Sequence, residues 1–149
     1  MSRYSPPSRQ DVGMPGGYSG TPLAEKLGMI EESRVATIDA PDGFHSLLEP
    51  IPAGVGFRTT LRGRADVVVF FTLSRAKLER LIETAGRTIF PDGGLWVAWP
   101  KRASKIETDM TEDVVRELAL PLGLVDNKVC AIDETWSGLR VVWRRELRS

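Results

Sequence analysis

The sequence predicts an α/β fold: a single Rossmann-like, three-layer domain with a mostly parallel sheet and a C-terminal antiparallel hairpin. Three observations carry that prediction. Val67-Val68-Val69-Phe70-Phe71 is β-branched and aromatic throughout, as in a strand covered on both faces. Strand-like apolar runs alternate with segments of helical period, which predicts parallel strands joined by right-handed crossovers. The last two apolar runs are separated by Glu134-Thr135-Trp136-Ser137-Gly138, a hairpin connection.

Residues 1–20 are rich in Ser, Pro, Gly and Arg and show no hydrophobic period, so they read as a flexible tail before a domain at 21–149. Thr21-Pro22 starts a short helix that Gly28 closes, with Leu23 and Leu27 on one face. A strand follows at 34–39 and ends in the turn Ala40-Pro41-Asp42-Gly43. A helical piece at 44–48 precedes Pro50 and Pro52, and a weaker strand, interrupted by Arg58, covers 55–61. The third strand is 66–72. Ser74 caps the next helix, whose buried stripe is Leu78, Leu81, Ile82 and Ala85. The fourth strand is 95–99, after the turn Pro91-Asp92-Gly93-Gly94. A charged loop at 101–108 leads to a helix capped by Asp109 or Thr111, faced by Val114, Val115, Leu118 and Leu122, and stopped by Pro121. The closing hairpin pairs 125–133 with 139–144.

The chain has 149 residues, enough to bury roughly 70% of its unfolded surface. Lys plus Arg and Asp plus Glu each number 20, and this zero balance argues against a general nucleic-acid or anionic-membrane surface. One cysteine excludes a disulfide framework, and one histidine beside it is too little for a four-ligand zinc site. The longest apolar run is far too short to span a bilayer, and the first residues lack a signal-peptide core. The expected compartment is the cytoplasm.

In open α/β sheets ligands bind outside the carboxyl ends of the strands. The first strand brings Asp39, Asp42 and Gly43 to that rim, the third brings Thr72, and the fourth brings Trp99, Lys101 and Lys105. A parallel fifth strand adds Glu134 and Trp136 from the hairpin tip. Such a rim suits a small anionic or nucleotide-like ligand, phosphates included, and names no cofactor. Capping and packing explain many of the same residues. No catalytic constellation stands out: His45 lies on a short helix, Cys130 is mid-strand, and no phosphate-binding or dinucleotide glycine fingerprint occurs.

The terminal hairpin gives the whole the look of a truncated class I methyltransferase fold. Such enzymes carry a glycine-rich turn after the first strand and an acid after the second. Here the turn is Asp39-Ala40-Pro41-Asp42-Gly43-Phe44, and Arg62 and Arg64 follow the second strand. Both departures imply a shared fold without the S-adenosylmethionine site, that is, a degenerate methyltransferase at most. In the last strand Arg140 and Arg144 share one face. Inserting that strand under a helix would bury them at serious cost, so the face is open, or the strand is an edge, or the face meets a protein partner or a second copy.

Four segments are distinctive: Gly17-Tyr18-Ser19-Gly20-Thr21-Pro22-Leu23, Gly93-Gly94-Leu95-Trp96-Val97-Ala98-Trp99-Pro100-Lys101, Thr108-Asp109-Met110-Thr111-Glu112-Asp113-Val114-Val115-Arg116-Glu117, and Gly123-Leu124-Val125-Asp126 through Trp136-Ser137-Gly138-Leu139. With them the chain resembles a family of small actinobacterial proteins known as domain of unknown function three-zero-five-two. The resemblance covers nearly everything after the tail. It implies a single-domain cytoplasmic protein and transfers no catalytic residue. The Tyr18-Ser19-Gly20 segment sets a docked tail beside the flexible one as a second reading of residues 1–20.

Overall fold

In the computed structural model, which describes residues 20–149, six strands build one sheet. They are β1 (Arg34–Ile38), β2 (Gly56–Arg58), β3 (Val67–Phe71), β4 (Gly94–Pro100), β5 (Leu124–Ala131) and β6 (Trp136–Trp143). Their order across the sheet is β2-β1-β3-β4-β6-β5. The first four run parallel. Strand β6 is antiparallel to both its neighbours, so β5 runs in the common direction and the hairpin tip lies at the carboxyl rim. Of the expected tail at residues 1–20, residues 1–19 lie outside the described part of the chain.

Alternate residues of each strand feed two cores. Val68, Phe70, Leu95, Val97, Leu139 and Val141 face α3 (Arg75–Ile89) and α4 (Glu112–Ala119). Val67, Val69, Phe71, Trp96 and Ala98 face α1 (Leu23–Lys26), α2 (Phe44–Leu47) and their loops. The three-layer arrangement follows. On α3, Leu78, Ile82, Ala85 and Ile89 are buried, and each large aliphatic contributes about 1.5–3 kcal/mol. On the other face Trp96 is fully buried, and its Nε1–H donates to the Leu27 carbonyl at 2.9 Å, tying the end of α1 to mid-sheet. Among the described residues, no helix is long and apolar enough to cross a membrane.

The structure departs from the sequence reading in four places. Strand β2 has three residues rather than seven, because Arg58 turns back and donates to the carbonyls of Thr60 and Arg64, both at 3.1 Å, closing the chain into a turn. The first helix starts at Leu23, with Pro22 rather than Thr21 as its cap residue. Thr111 alone caps α4, its Oγ1 accepting from the Val114 N–H at 3.1 Å. The hairpin is tighter than expected: β6 already begins at Trp136.

Strand β6 is inside the sheet, and the cost anticipated for Arg140 is limited because, among the described residues, no helix packs over its end of the opposite face. The helices packed on β6 are α3 and α4, which cover the Leu139, Val141 and Trp143 side. Arg140 keeps partial solvent exposure on the opposite face, and Arg144 is exposed.

Candidate ligand site at the carboxyl rim

The connections leaving β1 and β3 diverge, one towards β2 and the other towards β4, which makes the gap between their loops the topological switch point of the sheet. An ion pair spans it. Asp39, in the left-handed region at φ 57°, meets the ammonium of Lys77 from the first turns of α3. Their side chains are 53% and 31% exposed, so the pair adds at most about 1 kcal/mol. The following turn closes on itself. The Phe44 N–H donates to the Pro41 carbonyl at 3.1 Å, and the Leu47 N–H donates to Gly43 at 3.2 Å. Asp42 and Gly43 are exposed.

Below that turn the Phe44 ring is only 1% exposed and packs edge-on against Phe71, with centroids 4.9 Å apart. Phe71 in turn packs edge-on against Trp136 at 5.1 Å. Each pair adds about 0.5–1.5 kcal/mol beyond burial. This three-ring ladder joins the β1 loop, β3 and the hairpin. Sequence reasoning missed it because its members are far apart in the chain.

At the end of β3, Thr72 is buried and its hydroxyl is engaged with the backbone N–H and carbonyl of Ser74 at 2.9 and 3.0 Å. Ser74 caps α3, accepting from the Lys77 N–H at 3.2 Å. The Arg75 N–H donates to the Asp109 carboxylate at 2.8 Å, so an internal anion already sits at the helix start.

Trp99 and Trp136 do not converge. Trp99, 9% exposed, lies in the α3/α4 core near Met110, whereas Trp136 pairs with Pro100 and faces the other side of the sheet. The hairpin tip and the β4 loop do meet, because the Lys101 N–H donates to the Thr135 carbonyl at 2.7 Å. The Asp133 carboxylate accepts from the N–H groups of Thr135 and Trp136 at 2.8 and 2.7 Å, which fixes the tip. Lys101 is half-buried, Lys105 stands exposed at φ 63°, and Glu134 is exposed. The structure thus brings Lys101 to the hairpin tip, where Trp136 ends the ladder, and leaves Asp39, Asp42 and Gly43 in the β1 loop at its other end; no hydrogen bond or ion pair joins Lys105 or Glu134 to either group among the described residues.

Cys130 faces the α1/α2 core, where burial pushes its thiol up and Lys26 opposes that shift.

No protein-family model matches the chain, and no curated protein matches it in sequence. Solved structures do match in shape. Ribosomal protein L11 methylase from Lactobacillus delbrueckii subsp. bulgaricus is 14% identical with a TM-score of 0.54, over 83% of this chain and 78% of that one. A SAM dependent methyltransferase from Aquifex aeolicus is 12% identical with a TM-score of 0.53, over 80% and 86%. The complex of the Haloferax volcanii Trm112 methyltransferase activator with a methyltransferase candidate matches at 13% identity and a TM-score of 0.59, over 82% and 88%. The fold of this chain is that of class I methyltransferases.

The residues at the rim do not fit S-adenosylmethionine. Pro41 has no N–H, the Phe44 N–H is consumed within the turn, and Asp39–Lys77 bridges the crevice that a cofactor would enter. Strand β2 ends in Arg58, with no carboxylate to take ribose hydroxyls.

Proposed function

We propose that this methyltransferase-fold chain binds a small anionic or nucleotide-like ligand at the hairpin side of its rim, without a catalytic centre. The observation that carries the reading is the pinned hairpin. It fixes a partly exposed Trp136 indole at a tip that the Lys101 backbone N–H also binds, and neither the Lys101 nor the Lys105 ammonium has a partner among the described residues. A flat apolar ring and unpaired cations on the same rim suit a nucleobase or another aromatic group carrying phosphate. The test is a thermal-shift screen with nucleotides, dinucleotides and phosphorylated metabolites. A ligand at 100 times its Kd stabilises by about 2.7 kcal/mol. Lys101→Glu should remove the shift without unfolding the protein, and an unchanged shift refutes the site.

Membership of the actinobacterial family that the sequence resembles, with its cytoplasmic location, is part of the same proposal. Degenerate methyl transfer is the weaker alternative, given the closed turn. A second reading, an interaction module on the Arg140 and Arg144 face, is favoured by one observation: the Arg140 guanidinium meets no acidic group among the described residues.

A further inference from the structure

We infer that the open face of β5 and β6 docks an extended acidic segment of a partner protein on Lys128, Arg140 and Arg148, which names the partner chemistry for the interaction reading and rests on it. Lys128 and Arg140 lie directly opposite each other in the β5–β6 register and share a face. Like charges so placed destabilise a sheet. Arg148, whose Nε–H donates to the Trp143 carbonyl at 2.9 Å, adds a third cation at the end of β6, and burial together with that charge lowers the Arg140 guanidinium from its ordinary value. The guanidinium is seated on Gly94, where an added Cβ would collide with its Nε, Cζ and Nη2. Trp96 and Val142 wall the seat with apolar surface.

Carboxylates are the missing complement, and the chain's own first 19 residues do not supply them, since they hold Arg3 and Arg9 against Asp11. Among the described residues strand β5 is the last in the sheet, so an added extended segment gains backbone hydrogen bonds along its outer edge. Acidic residues at alternate positions of that segment would fall on the Lys128 side. A second copy paired edge to edge would instead set two cationic faces side by side. Lys128 and the bulge between Asp126 and Lys128 therefore discourage self-pairing while leaving the edge open to an acidic strand.

The test uses the full chain and two labelled decapeptides, (Glu-Thr)5 and (Gln-Thr)5. We expect (Glu-Thr)5 to bind, to weaken at least tenfold in 0.5 M salt, and to weaken at least tenfold in Lys128→Glu and in Arg140→Gln. The charge-matched control Arg87→Glu should bind as the parent does. Lys128 is exposed, so its variant reports on docking even if Arg140→Gln were to disturb the sheet. Equal binding of both peptides, no binding at all, or tighter binding of a ten-nucleotide single-stranded DNA would overturn the inference. So would self-association lost in Lys128→Glu. The interaction reading fails separately, if Arg140→Glu/Arg144→Glu keeps every co-purifying protein.

Discussion

Asp109 caps a helix to which it does not belong: its carboxylate accepts from the Arg75 N–H at 2.8 Å, so the loop after β4 closes the start of α3. Removing such a cap costs about 1 kcal/mol. Asp109→Ala should therefore lower the Tm by about 2–4 °C, as calorimetry would show. Asp109→Asn should recover most of that loss.

The aromatic ladder predicts a larger effect. Phe44→Ala removes a buried ring and its contact with Phe71, which should destabilise by about 3–5 kcal/mol in urea unfolding. A loss under 1 kcal/mol would mean that the β1 turn is not anchored by this ring.

S-adenosylhomocysteine should give no thermal shift at millimolar concentration. A rise of several degrees would restore the cofactor site that the closed turn argues against.

Cys130 sets a pH dependence. Its thiol is raised by burial above 9.0, so the folded state holds the proton more tightly than the unfolded chain. That contribution is fully present below the unfolded thiol value and is lost as pH rises through the folded one. Stability should fall above about pH 9, where unfolded thiols ionise, and the fall should be shallower in Cys130→Ala.

Arg140 should trade stability for binding. Replacing it with Leu removes a cation facing Lys128, and the free protein should gain about 0.2–1 kcal/mol. Gly94→Ala displaces the guanidinium from its seat, so it should weaken (Glu-Thr)5 binding while the protein stays folded. If Gly94→Ala binds as tightly as the parent, the seat has no part in docking.

What the sequence made legible was local. Val67–Phe71 and the Leu78, Ile82, Ala85 stripe carry their own periods, and Ser74 announces its helix within three residues. Features set by register were hidden. Whether Trp99 and Trp136 share a face depends on which residue pairs with Pro100, and one step of slip reverses the answer. The length of β2 is decided by Arg58 reaching across a turn, and the role of Asp109 by a helix 34 positions upstream. The rim residues were found because topology places strand ends there. Their partners were not, because Asp39–Lys77 and Lys101–Thr135 join distant segments.

Because β6 is threaded between β4 and β5, among the described residues β5 has no hydrogen-bonded neighbour except a strand synthesised after it. A nascent chain halted before Trp136 would hold four paired strands with β4 as a raw apolar margin, and β5 adrift. The sheet is thus completed only when the last strand slides into its interior slot. Translation that stops short of it should yield a product prone to aggregation or degradation rather than a smaller version of the protein.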